Sequence, residues 1–227
     1  MRLHVAFTPA ESGESPVAVV VDVMRATSTI TQALASGYRR VLCCAEIEDA
    51  LALRDSLGEP ALLGGERSAV RIEGFDAGAS PREFLEPRAE TLILSTTNGT
   101  RAILTAAARC GEVLLGSLLN LEAVAAAVRE RGRDATVLCA GFQGAFAIDD
   151  AYCAGRIVAL LDGERSDAAK ASEVIANTYP RAIDGINART YGPPGLEDDI
   201  AWCSRESVLG VVPRFTRMVG SAAEVSL

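Results

Sequence analysis

Short apolar runs alternate along this chain with stretches whose apolar residues recur at three- and four-residue spacing, and that alternation restricts the fold more than any other feature. The runs lie at residues 3–7, 17–23, 40–42, 61–63, 91–94, 113–115 and 136–140. Each is short and almost continuously apolar, the pattern of a strand buried on both faces rather than of one half exposed to water. Helical spacing follows at 27–36, 47–57, 100–109, 121–130, 149–161 and 166–178, with Gly37, Gly58, Gly111, Gly132 and Gly163 placed as stops. Strands that alternate with helices pair in parallel and carry helices on both faces. The expected fold class is therefore α/β, a three-layer sandwich with a mostly parallel sheet. No linker rich in Pro, Gly or Ser divides the 227 residues, so residues 1–227 read as a single domain, with room for two lobes around a cleft. The last third, with "YGPPGLEDD" and "VVPRF", reads as helices and loops closing over or beside the sheet.

Composition removes several functions. No apolar stretch approaches the roughly 20 residues that span a bilayer, and the first residues lack the basic head, apolar run and small cleavage site of a signal peptide. The expectation is a cytoplasmic chain with no membrane partner. Six cysteines without CxxC spacing fit reduced, mostly buried thiols. A net charge of −8 opposes nucleic-acid binding, so an anionic ligand needs a local positive site. A homodimer is the ordinary base-rate expectation for a chain of this size.

Ligands of open α/β sheets gather beyond the carboxyl ends of the strands, where helix starts offer unpaired N–H groups. Four strand exits here carry polar loops. "STTNGT" offers Ser95, Thr96, Thr97, Asn98, Gly99 and Thr100 ahead of a helix; helix capping alone would also explain it. "VDVMRATST" leaves Asp22 at the end of a buried strand, with Arg25, Thr27 and Ser28 beyond it. A carboxylate there needs a metal, an arginine or several N–H groups, and an Asp22–Arg25 pair or an N-cap would serve as well. "GGER" places Glu66 and Arg67 at a sharp turn, and Ser80 stands as the cap of a helix starting at Pro81. In "CAGFQGAFAIDDAYCAG", Asp149 and Asp150 begin a helix, where acidic residues also complement the dipole.

His4 is the only histidine and sits in the first strand, so Ser-His-Asp, Cys-His and His-rich metal sites are excluded. P-loop, dinucleotide-fingerprint and cysteine-phosphatase spacings are absent. What remains is carboxylates, hydroxyls, arginines and helix ends. Carboxylates suit Mg²⁺, arginine forks and helix N-termini suit phosphate oxygens, and together they fit metal-assisted phosphoryl transfer.

In that order, "VDVMRATST", "GGER", "GFDAGASP", "TTNGT" and "CAGFQGAFAIDDAYCAG" resemble the 2-phosphosulfolactate phosphatase family, from about Val19 to the late "LEDDIAWC". The resemblance implies an α/β, Mg²⁺-dependent enzyme of coenzyme M biosynthesis that hydrolyses a small anionic phosphate ester to sulfolactate and phosphate. Three positions depart from the family pattern. Ala79 stands where asparagine is common, Ser68-Ala69 where Asn-Gly is frequent, and Asp149-Asp150 where Glu-Asp is usual. The shorter Asp149 passes a ligand role to Asp150. On this resemblance Asp22, Glu66 and Asp150 bind Mg²⁺ or activate water, and Arg25 and Arg67 hold anionic groups, with Arg71 and Arg101 as further candidates. Thr27, Ser28, Thr96, Asn98, Gly99 and Thr100 cradle oxygen atoms. Direct attack by water and a phospho-aspartate on Asp22 both remain open, as do a different 2-hydroxy-acid phosphate as substrate and a catalytically silent anion-binding protein.

Overall fold

The computed structural model describes residues 1–227. Its strands are β1 (Arg2–Ala6), β2 (Ser15–Val21), β3 (Arg40–Cys43), β4 (Ala61–Arg67), β5 (Val70–Arg71), β6 (Thr91–Ser95), β7 (Cys110–Gly116), β8 (Ala135–Cys139), β9 (Glu164–Arg165), β10 (Arg214–Val219) and β11 (Ala222–Ser226). The helices are α1 (Ala26–Ala35), α2 (Ile47–Ser56), α3 (Gly99–Arg109), α4 (Leu121–Arg131), α5 (Ile148–Ala159), α6 (Asp167–Thr178), α7 (Ala182–Asn187) and α8 (Glu197–Cys203). Every strand and helix expected from the sequence forms and overlaps its expected range. All six cysteines are free thiols, and no helix is long and apolar enough to cross a membrane.

One 11-stranded sheet runs in the order β5-β4-β6-β3-β11-β10-β7-β2-β8-β1-β9. Strands β4, β6 and β3 are mutually parallel, as are β7, β2, β8, β1 and β9. Alternate residues of each strand face opposite layers. Val17, Val19 and Val21 of β2 pack with Val124, Ile157 and Val158 of α4 and α5, whereas Ala18 and Val20 join Ile30, Ala33, Ala102 and Ile103 of α1 and α3. On the other half, Leu42, Leu63 and Ile93 pack beside Ala50 of α2, and Val41, Leu92 and Leu94 turn back to the α1 and α3 face. Each such aliphatic side chain, fully buried, contributes about 1.5–3 kcal/mol, which is why continuous apolar runs mark these strands.

The last third departs from expectation. Beyond α7 and α8 it forms the antiparallel hairpin β10–β11, which joins the two parallel groups: β11 pairs β3 and β10 pairs β7. The hairpin carries no continuous apolar run because β10 keeps Arg214, Thr216, Arg217 and Met218 exposed, while only β11 buries Ala222, Ala223 and Val225.

Three antiparallel pairings in succession make the two parallel groups opposite in ladder sense. Their carboxyl ends nevertheless meet, as the contacts described below show. Twist accounts for this: six steps separate β4 from β2, and at roughly 20–25° per step the sheet turns through about 120–150°. Two helices cross between the groups, α1 carrying the chain from β2 to β3 and α3 from β6 to β7.

Candidate active site

At the exit of β2 the chain folds back on Asp22. The Thr27 hydroxyl donates to the Asp22 carbonyl (2.9 Å), the Asp22 N–H donates to the Thr27 hydroxyl (3.1 Å), and Ser28 Oγ donates to the Val23 carbonyl (2.8 Å). These bonds use up Thr27 and Ser28, both fully buried, in shaping the turn into α1. Asp22 Oδ1 accepts the Ala26 N–H (3.1 Å); Oδ2 accepts no hydrogen bond from the protein and lies against Gly99. A Cβ at Gly99 would sit 2.5 Å from that oxygen and 2.3 Å from Ala26 Cβ, so the start of α3 approaches Asp22 only because residue 99 has no side chain.

Glu66, at the end of β4, is gripped from two sides. Its Oε1 accepts the Thr97 N–H (2.7 Å), and its Oε2 accepts the Ala69 N–H (2.6 Å) and the Thr97 hydroxyl (3.1 Å). Ser68 and Ala69 link β4 to β5 with φ of 52° and 64°, two consecutive left-handed residues of the kind that Asn-Gly accommodates. For an alanine this conformation is strained by about 1–2 kcal/mol. Ala69→Gly is expected to raise the thermal midpoint by roughly 2–4 °C, because the bonds made by Ala69 N–H and C=O come from the backbone and survive. A melting curve with an unchanged or lower midpoint refutes this reading of the turn.

At the exit of β8, Asp150 bridges two loops: Oδ1 accepts the Val23 N–H (2.9 Å) and Oδ2 the Gly141 N–H (3.0 Å). Its neighbour Asp149 is wholly buried. Asp149 Oδ1 accepts the Asp150 N–H and the Tyr191 hydroxyl, and Oδ2 has no partner. Burial pushes the Asp22 carboxyl up to about 7, with the charges of Glu66 and Asp149 adding to it and the Ala26 N–H and Arg25 opposing. Burial, then the charges of Asp149 and Asp22, push Asp150 well above the ordinary carboxylate range. Asp149 is raised by burial too, against the Tyr191 hydroxyl, the Asp150 N–H and the Arg189 charge. Crowded acids of this kind are short of positive charge.

One cavity of about 320 Å³ takes in Asp22, Arg25, Glu66, Thr96, Asn98 and Asp150, while Asp149 lies off its lining. The segment between α7 and α8 also lines it: Tyr191 stacks on Phe142 with ring centroids 4.1 Å apart, and Arg189 borders the cavity. Arg25 is already paired: Nη1 meets Asp199 Oδ2 at 2.6 Å with both side chains under a tenth exposed, and Nη2 donates to the Ala69 carbonyl. Ser80 caps the short 3-10 helix Pro81–Phe84, as its sequence suggests, and also donates to Asp199.

The remaining sequence candidates fall elsewhere. Arg67 donates to the carbonyls of Glu66 (2.8 Å) and Ala45 (2.9 Å) and to Ser95 Oγ (2.9 Å), outside the cavity. Thr96 and Thr100 bond reciprocally across the turn that leads into α3, whose N-cap residue Asn98 makes no side-chain cap bond, and only Thr96 of the two reaches the cavity. Asn98 Oδ1 accepts the Gln143 N–H. Arg71 donates to the Phe75 carbonyl, Arg101 pairs with Glu46 on the surface, and His4 bonds Ser166. Sequence reasoning missed Arg189, Tyr191 and Asp199. The "YGPPGLEDD" segment gave their neighbourhood but no periodicity to aim a side chain.

No three His, Cys, Asp or Glu side chains come together closely enough to hold an ion among themselves. The ligand atoms that Asp22, Glu66 and Asp150 bring to the cavity are all carboxylate oxygens, and Asp22 Oδ2 is free of protein hydrogen bonds. That set fits a hard cation held by one or two carboxylates and completed by water and a ligand, the usual manner for Mg²⁺.

A family described as 2-phosphosulpholactate phosphatase matches residues 5–218. The chain is 38% identical over 217 residues to a probable 2-phosphosulfolactate phosphatase of Clostridium acetobutylicum, covering 91% of this chain and 92% of that one. It is 36% identical over 217 residues to the 2-phosphosulfolactate phosphatase of Methanothermobacter thermautotrophicus, covering 94% and 92%. With a probable 2-phosphosulfolactate phosphatase of Caldanaerobacter subterraneus it shares 38% over 208 residues, 86% of each chain.

Proposed function

Because this chain belongs to the 2-phosphosulfolactate phosphatase family, we propose that its cleft hydrolyses 2-phosphosulfolactate to sulfolactate and phosphate with the help of Mg²⁺. The observation that carries this reading is convergence: Asp22, Glu66 and Asp150, far apart in sequence, line one cavity with Arg25, Arg189 and the Thr96–Asn98 loop that leads into α3. A volume of about 320 Å³ lies at the small end of ligand pockets, which suits a three-carbon substrate carrying phosphate, carboxylate and sulfonate.

Asp22 takes the central role, since it is the carboxylate with one oxygen fixed by a backbone N–H and the other uncommitted. Asp22 Oδ2, with Glu66 on the same cavity, would hold the ion. Bound there, Mg²⁺ would neutralise phosphate oxygens and acidify a water. The first turn of α3 offers backbone N–H groups without i−4 carbonyls to the phosphate, and Arg25, steadied by Asp199, faces the same anion. Asp150 acts by holding the β2 and β8 exit loops together. Tyr191 and Phe142 cover one side and exclude water. Attack by Asp22 itself and attack by water differ in one readout: a phosphate ester made chiral with oxygen isotopes is turned over with retention at phosphorus by the first route, which has two displacements, and with inversion by the second.

Ala79 lines the cavity where family members commonly carry asparagine, so another 2-hydroxy-acid phosphate is the second reading, and relative kcat/KM across such esters decides between them. Phosphate release from 2-phosphosulfolactate is expected with millimolar Mg²⁺ and is expected to stop with excess EDTA. Mg²⁺ alone is also expected to raise the melting temperature, by mass action on the folded state. Undiminished turnover in EDTA, or no turnover of any 2-hydroxy-acid phosphate with Mg²⁺, contradicts the proposal.

A further inference from the structure

Two cations line the cavity, and they are not equivalent. Arg25 has its carboxylate partner in Asp199. Arg189 has none within ion-pair distance: its Nη1 donates to the Tyr191 carbonyl (3.1 Å), and its Nε is buried without any acceptor. Its guanidinium stands 5.9 Å from the centre of the Tyr191 ring, which itself stacks on Phe142, so the side chain has aromatic support on one side. A buried guanidinium N–H with no acceptor is costly, and Arg is the side chain least able to shed its charge. An arginine on a cavity wall with no carboxylate partner suits the oxygens of an anionic ligand.

We propose that Arg189 is the specificity-determining residue of the cleft, and that it binds the anionic substituent remote from the phosphate. In 2-phosphosulfolactate that substituent is the sulfonate on the third carbon. The inference rests on the proposed phosphatase reading and adds to it the group that selects the substrate. Location supports the assignment. The phosphate belongs beside Asp22 and the loop into α3, whereas Arg189 comes from a different part of the chain, the segment between α7 and α8. A sulfonate stays ionised at any working pH and offers three oxygens to an arginine fork. The competing occupant is Asp149, whose Oδ2 is likewise unpartnered and whose carboxyl feels the Arg189 charge. If Arg189 served only to neutralise Asp149, its loss would act on every substrate alike.

The test compares 2-phosphosulfolactate with 2-phospholactate, which lacks only the sulfonate, in wild type, Arg189→Met and Arg189→Lys. Arg189→Met is expected to lower kcat/KM for 2-phosphosulfolactate by roughly 30-fold or more, mainly through KM, as loss of a desolvated charge partner does. The value for 2-phospholactate is expected to change less than about threefold, and Arg189→Lys should restore part of the discrimination. Equal losses on both substrates overturn the proposal in favour of the Asp149 role. A second measurement needs no turnover: calorimetric affinity for sulfolactate against lactate, where Arg189→Met, or Arg189→Lys should the methionine variant fail to fold, must weaken sulfolactate selectively. Unchanged sulfolactate affinity overturns the inference. Wild-type protein inert towards 2-phosphosulfolactate but losing sulfolactate affinity on substitution would count against the phosphatase reading alone and leave the anion site standing.

Discussion

Asp22→Asn is expected to reduce phosphate release from 2-phosphosulfolactate at least about a hundredfold while leaving the metal-free protein as stable as wild type or more so. The catalytic loss follows from removing a preorganised charge at the reacting centre, typically worth 10²–10³ in rate. The unchanged fold follows from local geometry. An asparagine Oδ1 keeps the bond from the Ala26 N–H (3.1 Å in wild type), and the backbone bonds with Thr27 do not involve the side chain. In the absence of a cation the Asp22 charge is also a burden, since burial and the neighbouring acids already push its carboxyl up to about 7. The two measurements, turnover with Mg²⁺ and melting temperature in EDTA, should move apart. Near-normal turnover removes Asp22 from the mechanism, and a large fall in melting temperature would make it a structural residue instead.

Asp150→Ala is expected to do the reverse and damage the fold first. Its two oxygens are the partners of two buried backbone N–H groups, Val23 at 2.9 Å and Gly141 at 3.0 Å. Stranding a buried donor costs about 1–3 kcal/mol. Two of them imply a fall in melting temperature on the order of 5–20 °C for a chain of this length, lessened by the relief of repulsion among the crowded acids. Asp150→Asn should fall in between, because its amide accepts from one N–H and turns a donor towards the other. An Asp150→Ala protein that melts with wild type would show that the two exit loops hold together by other means.

The sheet and its helices were legible because burial on both faces leaves an uninterrupted apolar signature, as at 17–21 or 91–95, and because helical spacing is strong in α3 and α5. The hairpin at β10 and β11 was not: β10 buries no side chain fully and exposes Arg214, Thr216, Arg217 and Met218, so its role in joining the halves is written in its backbone pairing rather than in its apolarity. Within the cavity, the positions of Asp22, Glu66 and Asp150 followed from one rule, that strand exits collect ligands. The same rule misjudged Arg67. Successive strand residues point to opposite faces, so with Glu66 turned towards Thr97 and the cavity, Arg67 must turn away to the carbonyl of Ala45. Asp199 was hidden for another reason. As one of three acids in the first turn of α8 it looks like ordinary compensation of the helix dipole, and only tertiary packing reveals its pairing with Arg25. Arg189 and Tyr191 lie in a glycine- and proline-rich segment, where no period fixes the direction of a side chain.

The placement of the hairpin bears on how the molecule is assembled during synthesis. The strands that zip the two parallel groups into one sheet are the latest to leave the ribosome, at residues 214–226. Until they emerge, β3 and β7 lack their partners in the sheet, and the walls that bring Asp22 and Glu66 together are held by the crossover helices and the core packed around them. Such open edges invite pairing with other nascent chains, so the growing polypeptide is most exposed to aggregation in the interval just before its cleft can close.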